Sequence, residues 1–205
     1  MTEPSRHGRS SGRFNARERT FRGAHLAARF FSSLVPLPVR AGDREWVGSV
    51  LRPEELDLWS RLSSADRRES VAVARRTEAT LAGTEHAGDA RWLAAALLHD
   101  VGKLDARFGP VRRAVATAAA GLLGPRVVEG WVDRSGFVRR CALYVFHDQL
   151  GADRVKIAGG RAEAALWAEA HHRPAIWDAT GIPHAVVAAL AAADGEPTAG
   201  LVFST

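Results

Sequence analysis

The sequence predicts an all-α bundle of roughly seven to nine helices, and three observations lead there. Apolar residues recur at helical spacing through most of the chain beyond residue 43. Residues that start helices (Asp, Ser, Pro) stand before these runs, and glycines stand behind several of them. No stretch of useful length alternates apolar and polar residues as a half-buried strand would, and no internal repeat is visible.

The elements follow in order. Residues 1–22 are rich in Arg, Ser and Gly without hydrophobic periodicity and read as a disordered tail. Leu26 to Val39 is apolar, but Pro36 and Pro38 break any helix there and favour an extended strap. Asp43 is placed to cap a short helix through Leu51, and Pro53 suits the first turn of another ending near Leu62. The strap and these helices form a segment, 23–62, that packs on the main domain, 63–205. Ser64 is placed to cap a helix carrying Val71, Ala74 and Leu81 on one face and stopping near Gly83. Asp89 precedes Arg91 to His99, apolar nearly all round and so the expected buried centre. Further helices are expected near 110–121, 136–147, 151–158 and 161–171, with Pro183 opening a last one to about Asp194.

Composition narrows the function. The chain has 205 residues, 46% hydrophobic and 25% charged, as expected of one globular domain with a loose end. No segment is long and apolar enough to cross a bilayer, and the charged N-terminus lacks the apolar core of a secretory signal. A cytoplasmic location is the resulting expectation. Cys141 is the single cysteine, which excludes an intrachain disulfide and a cysteine-rich zinc site. The net charge of +5 would suit a nucleic-acid partner, but six Arg and two Glu in residues 1–22 account for +4 of it. The rest of the chain carries no basic stripe, which argues against nucleic acid.

Chemistry concentrates in His99, Asp100, His147, His171, His172 and Asp194, polar residues on or at the ends of apolar helices. Imidazole and carboxylate without thiolate suit ions such as Mn, Fe, Co, Ni or Zn. Adjacent helical residues lie about 100° apart, so His99 and Asp100 can converge on one centre, and a two-oxygen carboxylate can bridge two ions. Lys103 falls one turn beyond His99, where it could hold a phosphate oxygen near the metal. Each residue also has a plainer reading: a core histidine, a cation at a helix C-terminus, a turn aspartate, a solvated lysine. The joint pattern outweighs these, because an uncompensated Asp100 within Leu97-Leu98-His99-Asp100-Val101 is costly without a cation.

Leu97-Leu98-His99-Asp100-Val101-Gly102-Lys103 resembles the signature of the HD-domain superfamily of metal-dependent phosphohydrolases. Three later segments are similar to that family in the same order. His147-Asp148-Gln149-Leu150-Gly151-Ala152 looks like its His-x-x-x-Gly-Ala stretch, His171-His172 like its paired histidines, and Ala191 to Asp194 like its closing helix with a ligand Asp. The resemblance covers about residues 65–195. It implies an HD-type helical bundle holding one or two divalent ions, with Mg added to the ions above.

The resemblance implies one ion held by His99, Asp100 and Asp194, with Glu69 as a further candidate ligand, and a second held by Asp100, His147, His171 and His172. In one respect the chain departs from the pattern. The family's first ligand is a His opening a His-Ser-Val-x-Val-Ala segment, and here Glu69-Ser70-Val71-Ala72-Val73-Ala74 stands in its place. Glu69 can ligate a hard ion through oxygen, or can be a surface charge beside Arg67 and Arg68. The segment Trp177 to Pro183 lacks the Gly-Tyr-Pro of the cyclic-dinucleotide branch, so that activity is not assigned. The implied function is hydrolysis of a small phosphorylated, nucleotide-like substrate by metal-activated water, with Asp100 and Lys103 as catalytic groups. The alternative is a catalytically silent scaffold of the same fold that binds a nucleotide or a protein.

Overall fold

The computed structural model describes residues 37–106, 108, 116 and 125–195, and among these every regular element is helical. The all-α expectation holds. The expected tail, the strap before Leu37 and, but for Ala116, the helix expected near 110–121 lie outside the described residues. No described helix is long and apolar enough to cross a membrane.

Four helices lead to the first part of the site: α1 (Ala41–Val50), α2 (Pro53–Ser60), α3 (Ser64–Leu81) and α4 (Ala90–Leu98). Asp43 proves to lie in the first turn of α1 behind the N-cap Arg40, where its charge meets the positive helix end without capping it. The cap of α3 is Ser63, one residue before the expected Ser64; its hydroxyl accepts from the Asp66 amide at 3.2 Å and donates to the Asp66 carboxylate at 2.6 Å. Asp89 caps α4 as its position suggests, accepting from the Arg91 amide at 2.9 Å. Every residue of α4 from Trp92 to Leu98 is buried, which makes this helix the centre of the bundle.

After the one-turn helix α5 (Lys103–Ala106) come α6 (Pro125–Glu129), α7 (Gly136–Val145), α8 (His147–Ala158), α9 (Ala162–Ala170) and α10 (His184–Asp194). The sequence suggested one helix over 136–147 and another over 151–158. The break instead falls at Phe146, which leaves helical geometry (φ −95°, ψ 22°), so that His147 opens α8. Helices α3 and α9 pack on α4, α8 packs on α9, α10 packs on α3, and α7 packs on α5. A second, smaller apolar cluster of Ala106, Phe108, Ala116 and Cys141 lies against Trp131 and Tyr144. Trp59, Trp92, Trp167 and Trp177 are buried, while Trp46 and Trp131 pack at the margins, in keeping with their reading as core and contact residues.

One buried carboxylate ties the N-terminal helices to the main bundle. Glu55, wholly buried, accepts from the backbone amide of Arg52 at 2.9 Å and from that of Arg161 at 2.7 Å. It also pairs with the Arg161 guanidinium, which in turn donates to the Val50 carbonyl at 3.1 Å. Glu55 thus satisfies orphan amides at the starts of both α2 and α9. Replacing Glu55 by Ala strands the buried Arg161 charge, and we expect a loss of about 3–5 kcal/mol in chemical denaturation. A loss below about 1 kcal/mol would show that the pair is solvated.

Candidate metal centre

Helix ends build the centre. His99 follows the last residue of α4, His147 starts α8 just beyond α7, His171 follows the last residue of α9, and Asp194 ends α10. Gly195 in left-handed geometry (φ 86°) closes that helix, the conformation for which glycine carries no steric penalty. The C-terminal ends of α4, α9 and α10 therefore meet around one point, and their unsatisfied carbonyls bias it towards positive charge.

Three of the histidines share one local device. The Nδ1 atoms of His99, His147 and His171 lie 2.8, 2.7 and 2.8 Å from the carbonyls of Ala96, Tyr144 and Ala168, each three residues back. A carbonyl can only accept, so Nδ1 carries the proton in each ring. The Nε2 edges then face inward. His147 Nε2 stands 3.2 Å from Asp100 Oδ1, and His171 Nε2 stands 3.8 Å from the same oxygen. His99 Nε2 lies 3.4 Å from both Asp100 Oδ2 and Asp194 Oδ1. The three Nε2 atoms and Asp100 Oδ1 are buried and make no hydrogen bond of good geometry.

Protonation sharpens the contrast between the rings. Burial pushes His147 below the ordinary histidine range, and burial with the neighbouring His172 and His99 pushes His171 well below it. Burial thus disfavours the charged form of both rings, and each turns its Nε2 edge towards a carboxylate oxygen. An Nε2 lone pair and a carboxylate oxygen that close repel unless a proton or a metal cation lies between them. Burial also opposes charge on His99, but Asp100 and then Asp194 outweigh it and raise this ring to about 9. Asp100 is held well below the usual carboxylate range: burial works against its charge, and Lys103, His99 and His147 overcome that.

Most of the residues expected from sequence come together. His147, His171 and His172 place their ligand atoms within 4.8 Å of one another, and His172 is the solvent-exposed member. Lys103, expected to await a phosphate, pairs with the Asp100 carboxylate. Glu69 stands differently: its carboxylate is 3.5 Å from Arg76 Nη2, and Arg76 Nε donates to the Ala193 carbonyl at 2.8 Å. That pair links α3 to the end of α10 beside Asp194. Asp148, within the second motif, faces Arg173 at 3.5 Å.

Sequence reasoning gave the two motif glycines no physical role. A Cβ on Gly102 would collide with the His147 carbonyl oxygen and come within 2.6 Å of the Gly151 amide nitrogen. A Cβ on Gly151 would lie 3.1 Å from the Gly102 nitrogen. Bare backbone at both positions lets the start of α8 rest directly on the turn after Asp100, which brings His147 to the carboxylate. The signal lay in the sequence, as one glycine three residues after His99 and another four after His147. Tyr144 was also passed over. Its ring stacks on that of His147 (centroids 5.7 Å apart, planes at 24°).

Comparison of the chain with protein-family models, with curated proteins and with solved structures returned no match. The reading of the centre rests on its geometry.

Two substitutions test that geometry. Gly102→Ala must push α8 off the turn, so we expect a loss of about 1–3 kcal/mol in stability, the usual range for overpacking. Weaker metal uptake should accompany it, and an unchanged melting curve would contradict the close approach. Glu69→Ala, which removes a half-buried partner of Arg76, should change stability by no more than about 0.5 kcal/mol and leave bound metal unaltered. Loss of metal in that variant, read by elemental analysis, would show that Glu69 leaves Arg76 to act as a ligand.

Proposed function

We propose that this chain is a metal-dependent phosphohydrolase of the HD type, acting on a small phosphoester. One observation carries the reading: the buried Nε2 atoms of His147 and His171 converge on Asp100 Oδ1, at 3.2 and 3.8 Å, without a hydrogen bond of good geometry, while a backbone carbonyl holds each Nδ1. A divalent ion satisfies all three at once, and second carbonyl contacts to metal-binding histidines fix the ring tautomer in the way seen here. The donor set fits such an ion. His147, His171, His172 and Asp100 would hold one; His99, Asp100 and Asp194 form a second group around the other Asp100 oxygen.

When bound, a divalent ion supplies Lewis-acid polarisation of a phosphoryl oxygen and activation of water. The chain's own residues do the rest. The carbonyls of Ala96, Tyr144 and Ala168 hold the rings in register. Asp100 keeps its charge in a buried site because Lys103, His99 and His147 surround it. Metal uptake would relieve Lys103 of neutralising Asp100 alone and leave its ammonium available to an incoming phosphoryl oxygen.

A second reading is a silent scaffold of the same fold. The Lys103–Asp100 pair favours it, since an internal ammonium already neutralises the central carboxylate. Metal analysis of the purified protein, followed by a panel of nucleotides and simple phosphoesters with Mn, Co, Zn or Mg, separates the two. We expect turnover that needs added ion and falls at least about 100-fold in Asp100→Asn. Bound metal without hydrolysis of any ester would select the scaffold; no bound metal at any ion concentration would overturn the metal reading itself.

A further inference from the structure

Three of the candidate ligands come from two facing helix ends. His147 opens α8, and His171 and His172 follow the last residue of α9. The carbonyls of Tyr144 and Ala168 orient the rings of His147 and His171 within their own segments, but that device does not set the distance from one segment to the other. The next residue on each side does. Asp148 follows His147, Arg173 follows His172, and the two meet across the gap with Arg173 Nε 3.5 Å from Asp148 Oδ2.

Each member of the pair is anchored in its own helix end. Asp148 is buried, and its other oxygen accepts from the Gln149 amide at 2.8 Å, one of the orphan donors in the first turn of α8. Half-buried Arg173 folds back over the last turn of α9. Its Nε and Nη2 donate to the Glu169 carbonyl at 3.0 and 2.9 Å, and Nη2 reaches Glu169 Oε1 at 3.1 Å. The carbonyls on either side are occupied too: Ala168 accepts from His171 Nδ1, and Ala170 accepts from the Trp177 indole at 2.8 Å. A guanidinium is a planar, rigid fork, so a single group spans the α9 carbonyl and the α8 carboxylate together.

We propose that Arg173 is a positioning residue for the metal centre: through Asp148 and the Glu169 carbonyl it fixes the span between His147 and the His171-His172 pair, and so sets how tightly that half of the centre holds a divalent ion. The assignment rests on the metal reading above and adds to it a residue outside the ligand set. Arg173 acts only through its neighbours. Groups that orient metal ligands in this way commonly change metal affinity by about 10–100-fold.

Cobalt titration of the full-length protein, followed by visible absorption, tests it. Arg173→Gln keeps a donor for the Glu169 carbonyl and removes the charge that meets Asp148. Asp148→Asn keeps an acceptor for the Gln149 amide and removes the opposite charge. Each should bind cobalt about tenfold or more weakly than wild type. The double variant should bind no more weakly than the weaker single variant, because both changes break one link. At saturating cobalt the absorption bands of both single variants should differ from wild type, a change in ligand geometry that lowered stability alone does not produce. Arg91→Gln is the control: it breaks the pairs with Asp89 and Glu163 at the opposite ends of α4 and α9, and it should keep wild-type affinity and bands. Wild-type affinity or unshifted bands in Arg173→Gln or Asp148→Asn, additive losses in the double variant, or an equal loss in Arg91→Gln overturns the assignment and leaves the metal reading standing. Wild type that takes up no cobalt at any concentration overturns both.

Discussion

A single buried carboxylate, Asp100, organises this molecule. It lies in the turn between the most buried helix and the start of α5, and an ionised carboxylate there has to be compensated. The chain meets that demand from several elements at once. Lys103 comes from one turn further on, His147 from the start of α8, His171 from the end of α9, and His99 with Asp194 from the ends of α4 and α10. The packing of the helices and the compensation of one charge are the same arrangement. Displacing any of these helices would leave a charge or a lone pair buried among others of its kind.

Close backbone approach makes that convergence possible. Side chains between α8 and the turn after Asp100 would hold the two segments apart, and the pair of glycines removes them. Elsewhere the same economy appears in Glu55, one carboxylate that serves the starts of two helices and an arginine together. In both places a few polar contacts of long sequence range fix where helices sit, while apolar residues around α4 supply the bulk of the burial. That division suits a binding centre. Helix termini supply rigid, directed groups, whereas a site made of loops would need ordering on each encounter.

The histidine rings are held in advance in one orientation. A carbonyl three residues back accepts from Nδ1 at His99, His147 and His171, and burial disfavours charge on His147 and His171. His99 differs because two carboxylates face it, which favours its charged form when no ion is present. The centre therefore has two unlike halves, one rich in neutral imidazole and one rich in carboxylate, with the two oxygens of Asp100 between them. Exposed His172 and half-buried Tyr144 lie on the imidazole-rich half.

By itself the sequence determined the helical class, the buried character of α4 and the identity of most residues at the centre. Those are local properties: periodicity of apolar residues, the Asp89 cap, and polar residues placed in apolar runs. It placed boundaries less well where two signals competed, as at Ser63 against Ser64, or at Phe146, where an apolar run continues but the backbone turns. Tertiary structure alone decided the partners. No local pattern reveals that Lys103 neutralises Asp100, that Glu69 faces Arg76, or that Tyr144 stacks on His147. Nor does any local pattern show that Gly102 and Gly151, 49 residues apart, exist to let two backbones touch. The reason is physical: helix formation is governed by neighbours within a turn or two, whereas compensation of a buried charge depends on groups brought from anywhere in the chain.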